Sequence, residues 1–126
     1  MVFVVDDDAS MRDALASLLG SVALRVQCFA SPAEFLDAHP GESPSCLILD
    51  VRMPDMNGLE LQSELAAAGY DVPVIFITAY DDKDSRGRAM QAGAVAFLDK
   101  PFSDEKLLQT VRSALMARDS RKSTRL

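Results

Sequence analysis

The sequence predicts an α/β fold: a parallel five-stranded sheet in the order 2-1-3-4-5, with helices on both faces. Three observations predict it. Strand-like and helix-like segments alternate five times along 126 residues, a length that suits one domain. Four strand-like segments are unbroken apolar runs, at residues 2–5, 46–49, 74–77 and 94–98, as strands buried on both faces require. The remaining one, residues 24–29, alternates apolar and polar residues, the pattern of a half-exposed edge strand. Right-handed crossovers with helices on both faces limit the topologies, and the order 2-1-3-4-5 puts that strand at one edge and gathers the ends of strands 1, 3, 4 and 5 near the switch point between strands 1 and 3.

The helices between the strands carry their own signals. Ser10 can cap a first helix whose apolar face is Met11, Leu15, Leu18 and Leu19. Ser31-Pro32-Ala33-Glu34 reads as a capping box with Pro at the first helical position, opening a short helix through Phe35 and Leu36. Asn57-Gly58 turns the chain into a third helix with Leu61 and Leu65, closed by Gly69. A fourth runs from Asp84 through Met90 and stops at Gly93. It has few large apolar residues and is expected to be the most mobile. Ser103 caps the last helix, with Leu107, Leu108, Val111 and Leu115 on one face.

Composition narrows the function. Apolar residues make up 48% and charged residues 25%, the balance of a soluble globular protein. No apolar stretch approaches the roughly 20 residues that span a bilayer, and the N-terminus lacks a basic signal-peptide region, so the expected location is the cytoplasm. The net charge of −6 is uneven. Residues 118–126 carry Arg118, Arg121, Lys122 and Arg125 against Asp119, and read as a basic flexible tail or the start of a linker; residues 1–117 form the domain. The acidic body disfavours direct nucleic-acid binding. Cys28 and Cys46 read as buried thiols, separated by strand 1 and too far apart to pair. His39 has no second His or Cys near it in sequence and is read as a loop residue.

The chemistry lies where the apolar runs stop. Strand 1 ends in Asp6-Asp7-Asp8, strand 3 in Asp50, strand 4 in Thr78, and strand 5, after Asp99, in Lys100-Pro101. Sites in open α/β sheets form beyond the carboxyl ends of the strands. Three aspartates cannot cradle a bare phosphate, and no glycine-rich phosphate loop follows any strand, which argues against nucleotide and flavin sites. Carboxylates suit Mg²⁺. Asp50 can then act as a nucleophile toward a phosphoryl group, with Asp6, Asp7 and Asp50 holding the metal and Lys100 and Thr78 meeting phosphoryl oxygens. Taken singly, each residue has a plainer reading as a turn or a cap; Asp8 is assigned the capping or solvated role, and Asp55 that of loop structure.

At these residues the chain resembles a response-regulator receiver domain of bacterial two-component systems, and its wording is similar to FixJ-type regulators. The motifs are Val5-Asp6-Asp7, Leu49-Asp50 with Met53-Pro54-Asp55-Met56-Asn57-Gly58, Ile77-Thr78-Ala79, Ala92-Gly93-Ala94 and Lys100-Pro101-Phe102. The resemblance implies a flavodoxin-like (βα)₅ fold and phosphorylation of Asp50 by a sensor histidine kinase. It implies Mg²⁺, or Mn²⁺ in its place, on Asp6, Asp7, Asp50 and the backbone carbonyl of Arg52. Thr78 and Lys100 match the phosphate-contacting positions, Phe97 the aromatic switch residue, and the Lys100-Pro101 bond is expected to be cis. Arg52 and Tyr80 fall where phosphoryl lifetime is tuned. Arrival of the phosphoryl group would draw Thr78 inward, let Phe97 turn, and remodel the face of helix 4, strand 5 and helix 5 for a partner or a second copy.

The expected output is transcription, through a DNA-binding domain not contained in these residues; the alternative is a stand-alone regulator or adaptor acting by protein contact. A phosphohydrolase using an aspartyl phosphate is a remote alternative: enzymes of the haloacid-dehalogenase type favour Asp-x-Asp, and Arg52 stands at the second position. The chain is thus expected to be a signalling domain that assists its own phosphorylation and dephosphorylation, not an enzyme. An interaction module independent of phosphorylation would usually lack the acceptor or the lysine, and both are present.

Overall fold

The computed structural model describes residues 2–38, 46–53, 57–69, 72–78 and 83–124. Strands and helices alternate as β1 (Val2–Val5), α1 (Ala9–Ser21), β2 (Val26–Phe29), α2 (Pro32–Ala38), β3 (Cys46–Asp50), α3 (Gly58–Ala67), β4 (Val74–Thr78), α4 (Lys83–Gln91), β5 (Ala96–Asp99) and α5 (Asp104–Thr124). All neighbouring strands are parallel and the order is β2-β1-β3-β4-β5, as expected.

The pleat sends alternate residues to opposite faces, so the buried sheet has two cores. On one face Phe3, Val5, Leu47, Leu49 and Phe76 pack with Phe35 of α2, Leu61 and Leu65 of α3, and Ala89 of α4. On the other, Val2, Val4, Cys46, Ile48, Ile75 and Ile77 pack with Leu15 and Leu19 of α1 and Leu107, Val111 and Ala114 of α5. The edges differ from this centre. In β2 only Phe29 is buried, held by a tilted ring contact with Phe3 and an edge-on contact with Phe35. In β5 only Leu98 is buried, although it lies in an unbroken apolar run, because one of its sides has no strand neighbour.

At α1 the cap is Asp8, for which the sequence allows a capping or solvated role, and not Ser10. The helix opens at Ala9, and the Asp8 carboxylate accepts the Ser10 N–H at 2.9 Å. Asp8 sits in extended backbone with its side chain free to turn inward, whereas Ser10 is already inside the first turn. At α2 the Ser31 hydroxyl accepts the Glu34 N–H at 3.2 Å, and Glu34 reaches back to the Ala30 N–H. Asn57 caps α3 and Ser103 caps α5. Gly69 and Gly93 take positive φ values just past α3 and α4, as stops require. Helix α5 continues to Thr124, through most of the segment read as a basic tail or linker. Cys28 is only half buried, because β2 is an edge; Cys46 is fully buried. The two thiols lie on opposite sides of β1 and are unpaired. His39, Asp55 and Tyr80 lie outside the described residues.

Register levels the strand ends. Val5 pairs with Leu49, which brings Asp6 level with Asp50; Asp50 pairs with Ile77, and Ile77 with Leu98. Thr78 and Asp99 lie one step further, and the Lys100 N–H bonds the Thr78 carbonyl at 2.7 Å. The Lys100-Pro101 bond is cis.

Gly58 fixes the loop after Asp50. Its N–H donates to the Val51 carbonyl at 2.9 Å. A Cβ there would stand 2.5 Å from the Asp50 carbonyl oxygen and 2.9 Å from the Phe76 ring. A methyl at this position must move backbone, not a flexible side chain. Gly58→Ala is expected to cost about 2 kcal/mol in urea unfolding. Gly20→Ala, a helical position with open space around it, is expected to be neutral or to stabilise by about 0.5 kcal/mol.

Candidate functional site

The parallel ends of β1 and β3 bring three carboxylates together. Oxygens of Asp6, Asp7 and Asp50 all lie within 4.8 Å of one another. Asp6 is fully buried and Asp50 nearly so, while Asp7 is exposed. Lys100 reaches in from beyond β5, its Nζ 3.5 Å from an oxygen of Asp6 and 3.5 Å from an oxygen of Asp50. Asp6, Asp7, Asp50 and Lys100 thus converge as the strand endings predicted. Thr78 is buried at the end of β4, one register step past the Asp50 level. Phe97 is half buried on β5, its ring 6.0 Å from that of Phe76. Arg52 is exposed just past the end of β3, and its backbone N–H donates to Oδ1 of Asp50 at 3.1 Å.

Hydrogen bonds to backbone groups hold Asp6 in place. The Asp6 N–H bonds the Phe29 carbonyl, tying the end of β1 to β2. The other Asp6 oxygen accepts the Asp8 N–H at 2.9 Å, so the turn into α1 is built on the acid itself. The Asp6 carbonyl in turn accepts a hydrogen bond from the Arg12 guanidinium at 2.8 Å. Sequence reading missed Arg12. The signal was available: a cation six residues past Asp6, in the first turns of a helix whose N-terminus abuts three aspartates.

Burial is the largest influence on Asp6, and pushes its carboxyl up to about 6; the Asp8 N–H opposes this, the charge of Asp50 adds to it, and Lys100 opposes it. One ammonium therefore does not satisfy the cluster. Three carboxylates with one cation form a donor set for a hard, oxygen-seeking divalent ion. The thiols offer no rival chemistry: burial pushes Cys46 up to about 12 and raises Cys28 as well, so neither is a ready thiolate at neutral pH. Among the described residues, no helix is long and apolar enough to cross a membrane.

Comparison with known proteins gives this geometry a family. The response regulator receiver domain family matches residues 2–112. The chain is similar to the response regulator protein TmoT of Ectopseudomonas mendocina, 45% identical over 115 residues, which are 91% of this chain and 52% of that protein. It is also similar to the transcriptional regulatory protein FixJ of Bradyrhizobium diazoefficiens, 42% identical over 114 residues, 90% of this chain and 56% of the relative. The chain thus spans about half the length of these relatives. Among solved structures, that of FixJ-N superposes with a TM-score of 0.84 at 36% identity, covering 91% of this chain and 92% of the other. A sheet in the order β2-β1-β3-β4-β5, an acid cluster at its carboxyl edge and these matches lead to one assignment: the chain belongs to the response regulator receiver domain family.

Proposed function

We propose that Asp50 receives a phosphoryl group from the phosphohistidine of a sensor histidine kinase, and that the fold converts its arrival into a change of shape. The observation that carries this reading is the meeting of Asp6, Asp7 and Asp50 within 4.8 Å, with Lys100 bridging the two buried carboxylates. An Asp50 carboxylate oxygen attacks phosphorus, the P–N bond to the donor imidazole breaks, and the imidazole leaves with the electron pair. The Arg52 N–H and Lys100, one on each Asp50 oxygen, orient the nucleophile. Lys100 then pairs with a phosphoryl oxygen and the Thr78 hydroxyl donates to another. Phosphoryl transfer asks mainly for position and neutralised charge, and these residues supply both. Water attack on the acyl phosphate resets the domain, with exposed Arg52 at the rim of that approach.

The donor set fits Mg²⁺, or Mn²⁺ in its place. Asp6, Asp7, Asp50 and the backbone carbonyl of Arg52 would hold it. When bound, the ion neutralises charge between Asp50 and the incoming phosphoryl oxygens. On the output side, Thr78 drawn toward the phosphoryl group leaves space for Phe97, and the surface of α4, β5 and α5 changes for a partner or a second copy of the chain. Two relatives are named as response regulators or transcriptional regulators. The downstream step we propose is accordingly transcription, in the cytoplasm, through a DNA-binding domain joined to this one by the basic residues past 117. This domain itself, acidic over its body, does not contact nucleic acid.

Incubation with Mg²⁺ and acetyl phosphate is expected to give a +80 Da, acid-stable and base-labile adduct by intact mass spectrometry. Asp50→Asn should abolish it; an adduct that persists in this variant sinks the acceptor assignment. Thr78→Ala should still take up the group yet lose phosphorylation-dependent partner binding or self-association. Full retention of that response would remove Thr78 from the coupling.

Asp6 yields a pH prediction. Its folded carboxyl titrates near 6 against an ordinary value of 3.8, so the folded state keeps a proton that the unfolded state has lost. The stability this proton supplies is complete below about pH 4 and is lost as pH rises through 6. Metal-free Asp6→Asn, which keeps an oxygen for the Asp8 N–H, is expected to be more stable than the parent by about 1–2 kcal/mol at pH 7.5. The difference should vanish near pH 4. Calorimetry in buffers of different ionisation enthalpy should show Mg²⁺ binding to the parent releasing a proton near pH 5.5, and none from Asp6→Asn.

A further inference from the structure

Helix α4 is lightly anchored. Among its described side chains only Ser85 and Ala89 are buried, and Met90 is 45% exposed. Gly87 sits in its middle with open space around the Cβ position, and glycine inside a helix weakens it relative to Ala. The buried Gln62 amide of α3 reaches the Ala89 carbonyl at 3.4 Å. A helix with so small an apolar face depends on its polar and aromatic fastenings.

Arg86 is the fastening toward β5. Its Cζ stands 5.2 Å from the Phe97 ring centroid, and its Nη2 is 3.0 Å from an oxygen of Asp99. One guanidinium therefore grips β5 on both sides of Leu98. The gripped residues are informative. Phe97 is half buried, with its ring also against Phe76 of β4. Asp99 pairs in register with Thr78 and directly precedes Lys100. The contact thus joins the surface of α4 to the strand that leads into the acid cluster.

We propose that Arg86 is a positioning residue for the switch: it pins α4 to β5 and holds the Phe97 ring in its half-exposed resting place. This rests on the reading that phosphoryl uptake at Asp50 moves Thr78 and Phe97. Activation then has to release the pin. By reciprocity, whatever opposes the turn of the ring opposes the phosphoryl group at Asp50 by the same factor. The ion pair is exposed on both sides, at 47% and 45%, so it contributes little and is screened by salt. The cation over the ring carries more of the effect. Removing both contacts is expected to shift the balance by about two- to fivefold.

Titration of the full chain with beryllofluoride in Mg²⁺, a phosphoryl mimic, tests this with the Phe97 aromatic resonances as readout. Arg86→Ala is expected to lower the midpoint by about two- to fivefold. It should also move the Phe97 resonances of the unliganded protein toward those of the liganded parent. Arg86→Lys, which keeps the charge and loses the planar guanidinium, should fall between parent and Arg86→Ala; Asp99→Asn should have the smaller effect. A purely structural role would lower the melting temperature and leave the midpoint unmoved, and that result in Arg86→Ala overturns the pin while leaving the switch intact. If beryllofluoride binds the parent without moving Phe97, the switch reading fails and the pin fails with it.

Discussion

Asp6 and Asp50 end adjacent parallel strands at one level, and neither can move away from the other without breaking the β1–β3 register. This enforced approach of like charges is the constraint on which the site depends. At a separation within 4.8 Å, two carboxylates repel by about 3 kcal/mol at an effective dielectric of 20. Lys100, 3.5 Å from each, offsets that repulsion. It does not restore the hydration that Asp6 loses on burial, so the carboxyl remains reluctant to ionise. The fold keeps a locally unfavourable cluster because the two cores surrounding the sheet can bear it. Three carboxylates in this arrangement form a donor set whose repulsion a divalent cation would relieve.

The same constraint explains the detailed build of the loops. A carboxylate under repulsion swings away unless its backbone is tied, and both acids are tied. Asp6 is held by Phe29 through its N–H, by Arg12 through its carbonyl and by Asp8 through its side chain. Asp50 is held by the Arg52 N–H on its carboxylate, and Gly58 packs so closely on its carbonyl that no side chain fits between them. Asp8 then caps α1, so one run of three aspartates is divided among a buried carboxylate, an exposed one and a helix cap.

The sheet order, the strand ends and the converging residues Asp6, Asp7, Asp50 and Lys100 were legible because periodicity and strand polarity are written directly in the chain. Continuous apolar runs mark buried parallel strands, and the residues just past each run stand at the carboxyl edge. The parts that were not legible are contacts between residues distant in sequence, or choices within a single turn. Asp8 and Ser10 are both possible caps in the sequence, and only the extended backbone at residue 8 decides for Asp8, since both residue types cap well. Gly58 reads as an ordinary turn glycine; only the approach of Asp50 and Phe76 shows why it must be glycine. Arg86 looks like one more surface charge until β5 places Phe97 and Asp99 beneath it.

The two halves of the sheet are built for different duties. On the β1–β3 side, the acid cluster is framed by fully buried strands and by three backbone ties to Asp6 alone. On the β5 side, the edge strand buries one residue, and the helix over it contributes a small apolar face with a glycine at its centre. The switch proposed above needs this asymmetry. If the acid cluster could relax, the charge brought by a phosphoryl group would be absorbed locally; if α4 and β5 were as tightly packed as α3, the available energy could not move them. Thr78 stands at the boundary, buried in β4, its carbonyl bonded to the Lys100 N–H and its register partner Asp99 held by Arg86. In the proposed switch, a displacement of this one residue would act on both halves at once, on Lys100 through the backbone and on β5, which Arg86 holds to α4 mainly through Phe97.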